Sequence, residues 1–355
     1  MNKPEPPSLP GTAIAEDNAV LRPSADLERL LVCPYDGSAL RWEPQDGALR
    51  DTKGSHRFVL DDGIPCLFAP NDWSGEQTDV TAMVKQFYEE TPFPNYEDVD
   101  SRQSLKQKAS LSVFARLVDE QLPRAATIFE AGCGTGQFTN FLGMAPGRTV
   151  VGGDACMNSL RLAKGFRDRF SINNAHFVQI NLFRPPFKPE SFDFVISNGV
   201  LHHTSDPERG FRAIIEKLKP RGFVAIGLYN SLGRLPVLWQ RALIERFGER
   251  AALFDRRLWG KTLVRGRRDA WFMDQYRHPH ESRHSIDEVL RWFSAAGVEF
   301  VNCVPSIGDA EFTDEDRVFE PHAPGTYLDR LSTQLEMLLT GGADGGLFIM
   351  IGRKQ

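Results

Sequence analysis

Residues 128–138, IFEAGCGTGQF, constrain the fold more than any other stretch: an apolar strand runs into Glu130, then Gly132, Gly134 and Gly136, then a helix. Glycines there let the backbone turn sharply and approach a ligand that a β-carbon would repel. The dinucleotide spacing G-x-G-x-x-G is not met, because position 137 is Gln, which argues against a pyrophosphate held on the helix N-terminus. A lone G-x-G-x-G also serves as a plain structural turn, so the surrounding chain decides its meaning.

That surrounding chain is regular. After a helix expected over KQKASLSVFARLVDEQL, strand-like runs alternate with amphipathic helices: ATIFEA and TGQFTNFLG, RTVVGGD and NSLRLAKGFRDRF, HFVQINL, FDFVISN and PERGFRAIIEKLK, FVAIGLY. Such alternation predicts an α/β fold with a parallel sheet covered by helices on both faces. Ligands of such sheets bind at the carboxyl ends of the strands, where strand order reverses. Each strand end carries a suitable group: the glycine loop, Asp154, Asn181, and Asn198 followed by His202 and His203. Asp154 lies about 20 residues beyond the glycine loop, where a carboxylate can accept both hydroxyls of a ribose. Its bland alternative is a surface turn or a cap for the helix MNSLRLAKGF.

Four segments make up the domain reading. Residues 1–25 are Pro-rich and polar and are expected to be flexible. Residues 26–72 carry short apolar runs between DG and KG turns, hence a small β-rich module. Residues 73–103 form an aromatic cap segment. The α/β domain spans 104–355 and is interrupted at 231–284 by helical, Arg-rich sequence, after which Ser285 and Glu288 have the spacing of a capping box. Strands VEFVNCV and GLFIMIGRK close the chain.

Composition sets outer limits. The net charge of -5 gives no global reason for a nucleic-acid partner. Five cysteines, an odd and small number, read as a reducing compartment. The N-terminus has no apolar core and no run approaches the roughly 18 apolar residues of a membrane span, so a cytoplasmic address without a membrane partner is expected.

The stretches EAGCGTGQF, GGDACMNSL, QINLFRPPF and SNGVLHHTSDPERGFRAIIEKLKPRGFVAIGLYN resemble, in order, the motifs of class I S-adenosylmethionine-dependent methyltransferases. The resemblance implies a Rossmann-like sheet of seven strands, S-adenosylmethionine as cofactor and S-adenosylhomocysteine as product. It places Glu130, Gly132, Cys133, Gly134 and Gly136 around the methionine part, and Asp154 with Ala155 at the ribose. Asn181, with Leu182, stands where the family usually has Asp beside the adenine amine. Asn198 and Val200 would lie under the sulfonium. The segment LLVCPYDGSAL…DGIPCLF resembles the zinc-ribbon-like Trm112 module. Its usual C-P-x-C is here Cys33, Pro34, Tyr35, Asp36, and Cys66 stands alone. Closed zinc sites want four ligands, so a metal-free remnant is expected and no metal is assigned.

Methyl transfer is an in-line displacement that asks chiefly for alignment and exclusion of water. A general base is needed only where the nucleophile arrives protonated with a high pKa. His202 and His203 are the candidates, with simple packing at the helix start as the alternative. In MDQYRHPHESRH, residues 273–284, His278, His280, Glu281 and His284 are metal-type ligands, yet Pro279 breaks any register, and a polar loop carries most weight. The arginines of 240–270, interleaved with Phe247, Phe254, Leu258 and Trp259, suit a lid over an anionic substrate, a solvated face, or phosphate contacts. Tyr88 and Tyr96 of QFYEETPFPNY, with Tyr229, Tyr276 and His280, form the candidate substrate set.

The expected function is methylation of a small-molecule acceptor in a lid-enclosed pocket. A tRNA or rRNA methyltransferase, and a S-adenosylmethionine-binding enzyme of other chemistry, are the alternatives. The intact loop and Asp154 speak against a degenerate binding protein, and a homo-oligomer is compatible with the sequence.

Overall fold

The computed structural model describes residues 22–73, 79–248, 265–308, 312–340 and 345–355, with the backbone alone at 265–270. Phe254, Leu258, Trp259 and most of the stretch 1–25 lie outside the described residues. Helix α1 (Ala25–Glu28) precedes strands β1 (Leu40–Glu43), β2 (Ala48–Asp51), β3 (Arg57–Asp61) and β4 (Ile64–Leu67). Helices α2 (Thr81–Glu90), α3 (Arg102–Ser110) and α4 (Val113–Gln121) follow. The alternating part comprises β5 (Thr127–Ala131), α5 (Gln137–Gly143), β6 (Thr149–Asp154), α6 (Met157–Arg169), β7 (Ala175–Ile180), β8 (Phe192–Asn198), α7 (Pro207–Ile215) and β9 (Leu218–Tyr229). Helices α8 (Leu235–Phe247) and α9 (Arg265–Tyr276) interrupt it, and α10 (Ile286–Ala295), β10 (Val298–Val304), α11 (Tyr327–Thr340) and β11 (Leu347–Lys354) complete it.

The sheet has eleven strands rather than the seven expected, in the order β1-β2-β3-β4-β7-β6-β5-β8-β9-β11-β10. The difference lies at one edge. β4 pairs in parallel with β7, Cys66 opposite Gln179 and Leu67 opposite Ile180. An open edge strand presents unpaired N–H and C=O groups, and β4 supplies their partners. The small β-rich module is therefore a continuation of the main sheet. Leu31, Leu49 and Leu67 share a core with Phe187, Phe192 and Phe129.

β5, β6, β7, β8 and β9 run parallel, and every residue of β7 is buried, as both faces of such a sheet are covered. In β5, Ile128 and Phe129 are each fully buried in different core clusters, because successive side chains leave opposite faces. The chain steps outward from β5 to β6 and β7, then returns to add β8 on the other side. The strand order reverses between β5 and β8, which fixes the crevice at their carboxyl ends.

Ser285 caps α10, its hydroxyl accepting from Glu288 N–H at 3.1 Å. The reciprocal half of the expected capping box is missing, because the Glu288 carboxylate takes His284 Nδ1 at 2.9 Å instead. Among the described residues, no helix is long and apolar enough to cross a membrane.

Candidate functional site

A cavity of about 440 Å³ opens at the carboxyl ends of β5 and β8, within the usual range for small-molecule sites. Its floor is the glycine loop. Gly132 has φ +81°, and a Cβ there would stand 2.4 Å from Val200 Cγ1. Gly134 has φ +51°, and its Cβ would meet the Phe93 carbonyl oxygen at 2.6 Å. Both positions are thus closed to any side chain, by conformation and by space. Asp154, at the end of β6, accepts from Gly134 N–H and Cys156 N–H at 2.8 Å each. Burial pushes its carboxyl above the usual range, although these donors pull the other way. Glu130 accepts from the Thr139 hydroxyl, and burial pushes it up to about 8.

The candidate residues divide cleanly. Glu130, Gly132, Cys133, Gly134, Asp154, Ala155, Asn181, Leu182, Asn198, Val200, His203, Tyr88 and Tyr229 line the cavity. Gly136, His202, Tyr96, Tyr276 and His280 are not in its wall. Gly136 packs the helix against the sheet, since a Cβ would stand 2.6 Å from Ala163 Cβ and from the Phe177 ring. Tyr96 stacks on Phe166, donates to the Thr135 carbonyl at 2.8 Å and accepts from Asn140 at 3.1 Å. It holds the back of the glycine loop. Tyr276 donates to Gln240 Oε1 at 2.5 Å, joining α9 to α8.

Asn181 faces the cavity with its polar atoms already engaged. Its amide donates to the Ala69 carbonyl and to Asn71 Oδ1, both at 2.7 Å, and its oxygen accepts from Phe183 N–H at 3.0 Å. The residue expected beside an adenine amine ties the chain leaving β4 to the end of β7.

The histidine pair reads from its partners. His203 Nδ1 lies 2.8 Å from the His280 carbonyl oxygen, so that nitrogen carries the hydrogen. In the neutral ring Nε2 is then an acceptor, and His202 Nε2 donates to it at 3.1 Å. His202 Nδ1 is buried without a hydrogen-bond partner among the described residues. Burial holds His203 down to about 3 and His202 well below its ordinary 6.5. The pair thus packs after β8, with both nitrogens of His203 used internally and His202 fully buried.

Residues not singled out from the sequence make the roof. From α2, Glu89 caps α6, accepting from Met157 N–H at 3.0 Å and Asn158 N–H at 3.3 Å. Phe93, Pro94, Trp271, Asp274 and Gln275 complete the wall. Tyr88 donates to Asp274 Oδ1 at 2.9 Å, while Gln275 Nε2 bridges Asp274 Oδ2 and the Tyr229 hydroxyl, again at 2.9 Å. Burial raises the Asp274 carboxyl and lifts Tyr88 well above the ordinary tyrosine value. Behind them Arg234, fully buried, grips Glu281 through two bonds of 2.9 and 2.7 Å and lies 3.6 Å over the Tyr229 ring. Asp274 sits within the polar run 273–284, but nothing in the run's spacing distinguishes it from Glu281.

The run begins on the last turn of α9 and continues as a loop over 277–284. Glu281 pairs with Arg234, His280 Nε2 meets the Thr204 carbonyl at 3.1 Å, and the His278 ring lies 3.6 Å from that of His203. Among the described residues, the group of three such side chains close enough to share an ion is elsewhere, at Cys33, Asp51 and His56.

Residues 129–226 match the model of a methyltransferase domain. The chain is 30% identical over 213 residues to an uncharacterized protein of Synechococcus sp., covering 54% of this chain and 49% of that one. It is 32% identical over 115 residues to the tRNA (carboxymethyluridine(34)-5-O)-methyltransferase of Arabidopsis thaliana, covering 32% of this chain and 26% of that protein. The chain thus spans half or less of these curated relatives. In shape it is similar to PKMT2 from Rickettsia typhi, solved in complex with AdoHcy, with TM-score 0.50 and 15% identity over 68% of this chain and 53% of that one. This likeness carries the α/β methyltransferase fold.

Proposed function

From a methyltransferase domain with an open glycine cradle, we propose that the chain transfers the methyl group of S-adenosylmethionine to a small-molecule acceptor held under the α2–α9 roof. The observation that carries the reading is the cavity itself. Two glycines that tolerate no Cβ, the carboxylate of Asp154 and that of Glu130 converge on one space. The donor set suits the cofactor: Asp154 keeps lone pairs for ribose hydroxyls, and the bare backbone at Gly132 and Gly134 admits the methionine part. When bound, the cofactor supplies an electrophilic methyl on a positively charged sulfonium.

The chain's own residues orient and enclose. Phe93, Trp271 and Tyr229 exclude water, which strengthens every polar contact within. Where the acceptor arrives as a hydroxyl or ammonium, Asp274 is the group placed to take its proton, being in the cavity wall with a carboxyl raised by burial. The wall carries three carboxyl groups, Glu130, Asp154 and Asp274, which a sulfonium cation beside them would draw toward the ionised form, and a single ammonium, Lys85, among the described residues. That balance suits a cationic cofactor and disfavours a phosphate chain.

A second reading, an RNA acceptor, is favoured by the tRNA methyltransferase among the relatives, and the net charge alone does not set it aside. Calorimetry with S-adenosylmethionine tests the cofactor: wild type binds, and Asp154→Ala weakens binding by about tenfold or more. Absence of binding by wild type sinks the reading. Radiolabelled methyl recovered from extracted metabolites supports the small acceptor, whereas label in RNA alone transfers the conclusion to the second reading.

A further inference from the structure

The N-terminal strands hold a second constellation, distinct from the cavity. Cys33 follows α1, Asp51 ends β2 and His56 precedes β3. The Cys33 sulfur, a carboxylate oxygen of Asp51 and a ring nitrogen of His56 all lie within 4.8 Å of one another. Cys33 is 1% exposed and the Asp51 side chain not at all. Cys33 and Asp51 are buried while the His56 side chain is 34% exposed, so the three ligand atoms converge where an ion can reach them from solvent.

The spacing fits one ion. His56 Nδ1 stands 3.7 Å from Cys33 Sγ. A thiolate and an imidazole on a tetrahedral zinc, at about 2.3 and 2.0–2.1 Å, are separated by about 3.6 Å. His56 Nδ1 and Asp51 Oδ2 are in hydrogen-bond contact at 2.8 Å, and they part by about half an ångström when both face a metal. The ligands are also pre-aimed. Asp51 is fixed by Ser55 N–H at 2.7 Å and His56 N–H at 3.0 Å, and the Tyr35 ring stacks on His56 at 4.6 Å. Outer partners of this kind orient metal ligands. Asp36 stands at the position of the second cysteine in C-P-x-C. Its neighbours are Ser38 and the exposed Lys53, whose ammonium lies 2.8 Å away.

We propose that Cys33, Asp51 and His56 bind one zinc ion, with the fourth position open to water or to Asp36. Counting thiolates led the sequence to a metal-free module; oxygen and nitrogen ligands take the place of the missing sulfur. The ion staples the chain before β1 to the β2–β3 turn, in a small unit with little core of its own.

The test uses the full-length chain, stripped and reloaded with zinc or cobalt. Wild type is expected to retain about one ion per chain and, with cobalt, to show a thiolate-to-cobalt charge-transfer band in the near ultraviolet. Cys33→Ser removes the band, and His56→Gln lowers affinity by at least about tenfold. Cys66→Ser leaves both unchanged, since Cys66 Sγ is directed to the Ile64 carbonyl. A wild-type zinc content equal to that of the Cys33→Ser/His56→Gln chain overturns the proposal, as does a band lost with Cys66→Ser. Should the variants misfold by circular dichroism, the wild type decides alone: zinc raises Tm and a chelator lowers it, or the site is wrong.

Discussion

The floor and the roof of the cavity are built by opposite means. The floor runs through β5, the glycine loop and β6, and its positions are held by backbone geometry: positive φ at Gly132 and Gly134, and N–H groups bound to Asp154. The roof is assembled from α2, α9 and the loop 277–284, whose members meet across the chain; Tyr88 and Asp274 are 186 positions apart. It is held by buried side-chain polar pairs. Backbone geometry is set by neighbouring residues, so the floor is a local property. A buried pair exists only once both partners are packed, so the roof is a property of the whole fold.

The largest effect is expected where the roof's ion pair is broken. Arg234→Met strips the buried Glu281 of its two short bonds and leaves it the longer 3.5 Å contact with Arg241, and should destabilise the chain by about 3 kcal/mol in urea titration. A loss under about 1 kcal/mol would mean that the pair does not hold the roof. Gly132→Val attacks the floor instead. It should weaken S-adenosylmethionine binding by about 100-fold, or about 2.7 kcal/mol, in calorimetry, with retained circular dichroism. Equal binding by the variant would show that the loop does not face the cofactor.

The third test is pH. Burial holds His278 at about 3, below its ordinary 6.5. Between these values the unfolded chain binds a proton that the folded chain does not, so stability falls as pH drops from 6.5 toward 3, by up to about 1.4 kcal/mol per unit. Glu130 works in the opposite sense: raised from 4.5 to about 8, it makes stability fall as pH rises through that window. Comparing wild type with His278→Asn cancels the Glu130 contribution, and the variant should lose less stability between pH 7 and 5. Parallel curves would refute a buried neutral His278. The smallest effect belongs to Tyr88→Phe, which removes one bond to Asp274. About 1 kcal/mol of stability is expected to go, with faster S-adenosylhomocysteine release in stopped-flow.

Much of the site was legible because single strand ends carry it. Asp154, Glu130, Asn198, Gly132 and Gly134 line the cavity, while Gly136 packs behind it. Tyr96 and His202 stand outside the cavity wall: an aromatic or imidazole beside a site can serve it from behind, and only packing tells front from back. Asp274 and Arg234 could not be found at all, since the partners that define them, Tyr88 and Glu281, lie in other segments.

The sequence by itself determined the alternation of strands and helices and the glycine turn after β5, because periodicity and backbone freedom act over a few residues. Tertiary structure alone decided that the N-terminal strands extend the sheet through β4 and β7, and that Asn181 serves this junction. It also decided that Cys33 meets Asp51 and His56. Each of these depends on groups brought together from separate segments, and a contact of that kind has no local signature for a sequence to display.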